Sequence, residues 1–353
     1  MLGVTKTALG PGHIELREVA EPIPGPGEVK IAIKAAGVCG TDLHIWQGEY
    51  ACRPPVILGH EFAGEIVALG EGVGGLAVGD RVTGLTYGVS CGHCRYCLQG
   101  NYALCAGRLS IGSGVNGAFA DFMALRAGMV RRLPENVDYD CGALTEPLAC
   151  CVKSVLERAT LTAGDVVLVT GPGAIGLLAA QLARAQGAVT IVVGAAGDAQ
   201  RLALARTLGA DYVFEAHADR VHPADGVHPG DDLRAAVDEL TGGAGVDAAL
   251  ECSGAVAGLG AALDLVRKGG QIAQIGLFGR PIEFDYEQVA LKELHVHGSF
   301  ATAASSWERA LALMRQGKVK VAPLISDHLP LAEWEAGFKR AKNKEAVKVL
   351  LHP

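Results

Sequence analysis

The sequence predicts an α/β protein in two domains, one rich in β-strands and one built on a doubly wound parallel sheet. Three observations carry that reading. The chain has 353 residues, a length that usually divides into more than one domain. Residues 1 to about 140 read as short strands separated by glycine- and proline-rich turns. From about residue 150 the pattern becomes strand, glycine turn and helix, repeated, as in parallel strands joined by crossover helices.

In the first part, Glu21-Pro22-Ile23-Pro24-Gly25-Pro26-Gly27-Glu28 can only be turn or extended chain. Residues 29–35 then alternate apolar and polar with period two, the mark of a half-buried strand. Further strands are expected at 64–69, 81–86 and 118–125. In the second part a buried-strand run at 165–170 meets Gly171-Pro172-Gly173-Ala174-Ile175-Gly176, which opens a helix at 177–186. Later strands are expected at 189–193, 212–214, 246–251, 270–277 and 295–300, with helices at 231–241 and 255–267. Two helical segments and a strand at 347–351 follow Phe300. They are too little for a domain of their own and are expected to return to the first. The expected division is 1–149 with 301–353, and 150–300.

A net charge of −7 argues against nucleic acid or an anionic membrane as partner. No apolar run approaches the roughly 20 residues of a membrane span. The first residues lack an apolar core with a cleavage site, so a cytoplasmic protein is expected. Ten cysteines in such a chain read as metal ligands and buried thiols rather than disulfides.

Cys91, Cys94, Cys97 and Cys105 form a C-x-x-C-x-x-C-x7-C run. Four thiolates from one loop close a tetrahedral zinc site with no open position, a structural role. An iron–sulfur cluster or disulfides are the other uses of such spacing. Gly171, Gly173 and Gly176 between a strand and a helix form a dinucleotide loop. The first glycine makes the turn, the second admits pyrophosphate and the third packs helix on strand. An NAD site normally places an acid at the tip of the second strand. Here the tip is Val193-Gly194-Ala195-Ala196-Gly197-Asp198. Small residues there accept a 2′-phosphate that Arg201 could reach, or Asp198 turns back to the ribose. The cofactor is NAD(P), with NADP favoured. The expected contacts are Gly171, Gly173, Ala174, Ile175, Gly176, Ala195, Asp198 and Arg201, with Cys252, Ile275, Gly276 and Ser299 after the later strands.

Cys39, His60 and Glu61 offer thiolate, imidazole and carboxylate, the donors that bind zinc, and a catalytic zinc keeps one position open. Thr41 and His44 lie two and five positions past Cys39. A hydroxyl at the reacting oxygen, linked to an imidazole nearer solvent, would carry a proton out of a closed site. A solvated loop histidine is the alternative. Glu146 stands in an apolar stretch where a carboxylate needs a partner such as a metal, or it is a solvated residue at a helix start. Cys141, Cys150, Cys151 and Cys252 show no metal spacing and read as core thiols.

Together these residues resemble the zinc-containing medium-chain dehydrogenase/reductase family. The likeness rests on the Pro-rich turn, Cys39-Gly40-Thr41-Asp42, Gly59-His60-Glu61, the four-cysteine run and the dinucleotide loop, all in order along the whole chain. It implies a GroES-like β catalytic domain and a Rossmann domain. Cys39 and His60 become ligands of a catalytic zinc, with Glu61 and Glu146 as carboxylates that approach it, and the cysteine run holds a second, structural zinc. Thr41 and His44 match the family's proton relay. Glu146-Pro147-Leu148 looks like the sorbitol and threonine dehydrogenase branch, and His44-Ile45-Trp46 like threonine dehydrogenase. Polyol dehydrogenases carry an arginine where Ala301 stands, which speaks against a sorbitol-type polyhydroxy substrate. Trp46, Tyr50, Phe119 and Phe300 are expected to give the substrate pocket sizeable apolar walls. The implied activity is hydride transfer between NAD(P) and a secondary alcohol or small polyol, in a homo-oligomer, dimer or tetramer. L-Threonine 3-dehydrogenase is the alternative enzyme, and a nucleotide-binding sensor the alternative outside catalysis.

Overall fold

The computed structural model describes residues 1–216, 221–222, 226–227 and 231–353. Its contacts divide the chain into two units. One holds Met1–Ala149, Thr302–Gly317 and Val321–Pro353; the other holds Cys150–Ala301 and Lys318–Lys320. The α/β class is as the sequence predicts.

The first unit is organised on the strand Glu28–Gly37, whose second half is buried apart from Lys34. The strand Glu61–Leu69 pairs antiparallel along one side of it. The other side is shared, with Phe122–Arg126 beside its start and Lys348–His352 beside its end. Arg81–Gly84, Val130–Arg132 and Ile325–Pro330 complete this seven-stranded sheet. The core against it includes Ile31, Phe62, Ile66, Phe119, Phe338 and Leu351. The returning C-terminal segment is therefore part of this sheet. It also contains a strand, Ile325–Pro330, that the sequence does not announce. Its residues alternate half-buried and exposed and end in proline, as befits an edge.

Among the described residues the second unit carries a six-stranded parallel sheet. Its order is Tyr212–Ala216, Val189–Ala195, Val166–Thr170, Val246–Glu251, Val266–Gln274, His295–Gly298. Numbered by sequence that is 3-2-1-4-5-6, the dinucleotide-binding order, in which ligands lie at the carboxyl ends where the order reverses. The reversal falls between Val166–Thr170 and Val246–Glu251, which pair Thr170 with Glu251. The helix Ala174–Ala185 starts three residues earlier than the sequence predicts. The expected helix to residue 267 stops at Leu265, because Val266 already pairs with Val246 and opens the next strand. No helix among the described residues is long and apolar enough to cross a membrane.

Candidate active site

Antiparallel pairing assembles the first group of residues. Gly37 lies opposite Glu61, so the end of one strand, running on into Cys39, stands beside the start of the next at His60. On the other side Leu350 lies opposite Gly37, and two residues along the same register bring Lys348 level with Cys39. Cys39, His60 and Glu61 thereby place their ligand atoms within 4.8 Å of one another. Glu61 is only 1% exposed. A side chain at position 37 would put its Cβ 2.2 Å from Glu61 Oε2, so the close approach requires glycine there.

Two residues not read from sequence hold this group in place. Lys348 Nζ donates to both oxygens of Glu61, at 2.8 and 2.7 Å, and to the Val38 carbonyl at 2.9 Å. Burial disfavours the ammonium, yet the charges of Glu61 and Cys39 keep the Lys348 pKa raised. A lysine inside the apolar run Val347-Lys348-Val349-Leu350-Leu351 was the available signal, since lysine is almost never buried unpaired. Asp42 is fully buried; its Oδ2 accepts the Cys39 N–H at 2.9 Å, and its Oδ1 lies 3.7 Å from His60 Nδ1. It orients the loop and the imidazole from behind. Burial opposes an imidazolium at His60, but Cys39 and Asp42, with Glu146 beyond them, outweigh it and push its pKa well up. Glu146, on the helix Thr145–Val152, is 6% exposed and stands outside the closest group, though its charge reaches both His60 and Lys348. A thiol, an imidazole and buried carboxylates, only partly offset by Lys348, fit a dication. Such groups are rarely buried together without one.

Thr41 and His44 lie on the helix Gly40–Gln47, one turn apart and thus on one face. Thr41 Oγ1 is 3.8 Å from Cys39 Sγ. His44 Nδ1 meets Glu49 Oε2 at 2.7 Å, while Gln47 donates to the other oxygen at 3.0 Å. The His44 bond, aided by Gln47, holds the Glu49 carboxyl below its usual range. Glu49 is the orienting partner, absent from the sequence-derived set.

The four-cysteine loop also fits zinc. Cys91, Cys94, Cys97 and Cys105 place their sulfurs within 4.8 Å of one another, with 3.8 Å between those of Cys91 and Cys97. Zinc–sulfur bonds of about 2.3 Å in a tetrahedron require sulfurs about 3.8 Å apart. Backbone N–H groups of Cys91, Cys94 and Cys97 point at sulfurs at 3.3 to 3.5 Å. The His93 and Cys94 N–H groups pull the Cys91 thiol down to about 6, so one thiolate already forms near neutral pH.

In the second unit Gly171 follows its strand with φ 89°, and Gly176 comes so close behind that a Cβ on it would lie 1.9 Å from the Gly171 carbonyl. A Cβ on Gly173, the residue capping the helix Ala174–Ala185, meets nothing within 4 Å. That open space at a helix N-terminus, where backbone N–H groups lack helical partners, fits a pyrophosphate. Cys252, Ile275, Gly276 and Ser299 all follow strand ends on the same edge: Cys252 N–H reaches the Thr170 carbonyl, Ile275 and Gly276 that of Glu251, and Ser299 that of Gln274. Beneath them lies Glu251, wholly buried. It accepts from Ser253 N–H (2.8 Å), Gly254 N–H (3.1 Å), Gln274 Nε2 (2.6 Å) and Thr170 Oγ1 (3.3 Å). It fixes the turn against which Gly171 packs, and sequence reasoning passed over it. Asp198 turns inward, its Oδ2 taking the Ala195 N–H at 3.0 Å and its Oδ1 lying 3.7 Å from Arg201.

The expected pocket residues are not equivalent. Phe119 is wholly buried and packs at 6.0 Å on Phe338 in the core of its unit; it is a core ring rather than an open wall. Trp46 and Tyr50 are partly buried against that core, and Phe300 is 40% exposed. Phe300 contributes its carbonyl to Lys153 Nζ at 2.7 Å.

A zinc-donor set in a β unit and a pyrophosphate cradle on a 3-2-1-4-5-6 sheet define a zinc-dependent NAD(P) oxidoreductase. Comparisons with known proteins agree. Residues 25–135 match the alcohol dehydrogenase GroES-like domain, and residues 174–316 match the zinc-binding dehydrogenase domain. The chain is 43% identical to a sorbitol dehydrogenase of Halalkalibacterium halodurans, over 100% of this chain and 99% of that one. It is 37% identical to an L-threonine 3-dehydrogenase of Pyrococcus furiosus, over 99% and 98%. A zinc-binding dehydrogenase from Sinorhizobium meliloti, solved with NADP, shares 32% identity with a TM-score of 0.87, covering 100% of this chain and 99% of its own. The chain belongs to the zinc-containing medium-chain dehydrogenase/reductase family, in the branch of sorbitol and threonine dehydrogenases.

Proposed function

We propose that the protein interconverts a secondary alcohol or small polyol and its ketone, with catalytic zinc held by Cys39 and His60 and approached by Glu61 and Glu146. The observation that carries this is the convergence of Cys39, His60 and Glu61 with Lys348 where three neighbouring strands meet, backed by Asp42 on the helix that follows Cys39. Bound zinc supplies Lewis acidity that lowers the pKa of a hydroxyl, and the nicotinamide supplies the hydride chemistry. The chain's own residues do the rest. Asp42 holds the Cys39 loop and faces His60. Lys348 offsets one of the two carboxylates, so the donor set is not overcharged. The substrate proton passes to Thr41 Oγ1 and on to His44. With Nδ1–H given to Glu49, the other ring nitrogen of His44 is the acceptor, and the partly exposed ring hands the proton to water.

A second zinc in the cysteine loop is structural in this reading, because four thiolates leave no open position. The unit 1–149 with the C-terminal segment acts as the catalytic domain, and the parallel-sheet unit as the dinucleotide-binding domain. NADP is the preferred dinucleotide, supported by Ala195 in place of an acid at the strand tip, while Arg201 is mostly buried and faces Asp198. Substrate preference for polyols is supported by the sorbitol dehydrogenase relative. Threonine is the second candidate, favoured by His44-Ile45-Trp46 and by the threonine dehydrogenase relative. The family resemblance also implies a cytoplasmic dimer or tetramer, which light scattering would test. Initial rates on secondary alcohols, polyols and threonine, each with NAD and NADP, test the assignment. Turnover of threonine alone would replace it with the second reading, and no turnover of any would overturn both.

A further inference from the structure

The first unit holds another cluster of metal-binding side chains that the dehydrogenase reaction does not use. Asp140 lies on the short helix Tyr139–Ala143, His328 on the edge strand Ile325–Pro330, and His352 on the strand Lys348–His352. Strand register creates the juxtaposition. His328 pairs with Leu350 and Pro330 with His352 in a parallel ladder, so His328 and His352 are diagonal neighbours whose side chains share a face.

Three distances define the cluster. His328 Nδ1 lies 3.2 Å from His352 Nε2 and 3.5 Å from Asp140 Oδ2, and His352 Nε2 is 3.9 Å from Asp140 Oδ1. A tetrahedral zinc with bonds of about 2.0–2.2 Å needs donor atoms roughly 3.3–3.6 Å apart. All three ligand atoms lie within 4.8 Å of one another.

The orientation of His352 is set from outside the cluster. Its Nδ1 lies 2.9 Å from the Lys34 carbonyl. A carbonyl only accepts, so Nδ1 carries the proton and Nε2 presents a lone pair to the cluster. A backbone carbonyl fixing the tautomer and ring angle is the usual arrangement behind a metal-bound histidine. His328 Nδ1–H then donates to His352 Nε2. To bind a metal, His328 need only carry its proton on the exposed Nε2 instead, so no charge change is required of either ring.

We propose that Asp140, His328 and His352 form a further site for a borderline-soft dication of the zinc or copper class, with water completing the coordination. The site joins the edge strand, the last strand and the helix Tyr139–Ala143, segments more than 180 residues apart in sequence on one side, as the positions of Asp140 and His328 show. Binding therefore clips the returning C-terminal segment to the body of its unit and raises its stability by mass action.

The test uses the full chain with its tightly held zinc in place, dialysed to remove loosely held ions. Zn2+ is titrated into wild type, His328→Ala and His352→Gln. The wild type is expected to take up one ion per chain more than either variant and to show a zinc-dependent rise in Tm that both variants lose. With Cu2+ as probe, electron paramagnetic resonance should show a signal coupled to two imidazole nitrogens in wild type that His328→Ala loses. Equal uptake by all three proteins, or a copper spectrum unchanged by His328→Ala, would overturn the site. Turnover should be the same in wild type and His328→Ala, so failure here leaves the dehydrogenase reading untouched. His328 is more than half exposed, and His352→Gln keeps a side chain able to donate to Lys34, so neither change threatens folding.

Discussion

At the residue scale, the Lys348–Glu61 pair shows how the donor set is kept. Replacing Lys348 by Met leaves a carboxylate buried and unpaired, a loss of about 3–5 kcal/mol in comparable cases. A bound dication beside Glu61 offsets part of that. The variant should therefore melt well below wild type after chelation, and by a smaller margin when zinc-replete; thermal melts in the two states check this. Glu61→Gln with Lys348→Met should recover much of the stripped protein's stability, because neither charge is then left alone. His44 makes a separate prediction. His44→Ala should lower kcat by about 10² or more, leave the dinucleotide Kd unchanged, and regain activity with added imidazole. Unaltered kcat would remove His44 from the proton path. The grouping of Cys39, His60 and Glu61 is legible in the sequence because their chemistry is distinctive and their motifs are local. The burial of Lys348 has a local signal but its partner does not, because Glu61 lies 287 positions away and only the sheet register joins them. Asp42 and Glu251 were hidden differently: acids in a sequence look like solvent-facing residues until burial is known.

At the scale of elements, the cysteine loop and the glycine loop were legible because each is a single short segment whose spacing is its geometry. Each yields a prediction. Cys97→Ser should release one zinc per chain and lower Tm, while opening the segment Cys91 to Cys105 to proteolysis. Intact metal content in that variant would contradict a four-thiolate site. Gly176→Ala places a Cβ against the Gly171 carbonyl, and the backbone shift it forces should weaken dinucleotide binding roughly tenfold or more, read by fluorescence titration. The four-cysteine loop Cys91 to Cys105 should be unaffected. Element ends were the less legible part. The helix expected to reach residue 267 stops at Leu265 because Val266 is claimed by its neighbour Val246, a tertiary pairing no local pattern reports. The edge strand Ile325–Pro330 was missed for the opposite reason: with Ser326, Asp327, His328 and Pro330 it carries few of the residues that mark strands.

On the scale of the whole molecule, the proposed roles divide between the two units. One collects the metal donors at the ends of antiparallel strands, and the other presents backbone N–H groups at the carboxyl edge of a parallel sheet. The chain's crossing pattern, with the C-terminal segment returning to the first unit, is what delivers Lys348 to Glu61. The measurement that bears most directly on the central claim is zinc content and turnover in wild type and Cys39→Ser, after dialysis against a weak chelator. The account predicts two zincs per chain and turnover of an alcohol or polyol in wild type. It predicts one zinc, no turnover and near-normal dinucleotide binding in the variant. A Cys39→Ser protein that keeps both zincs and full turnover would contradict it.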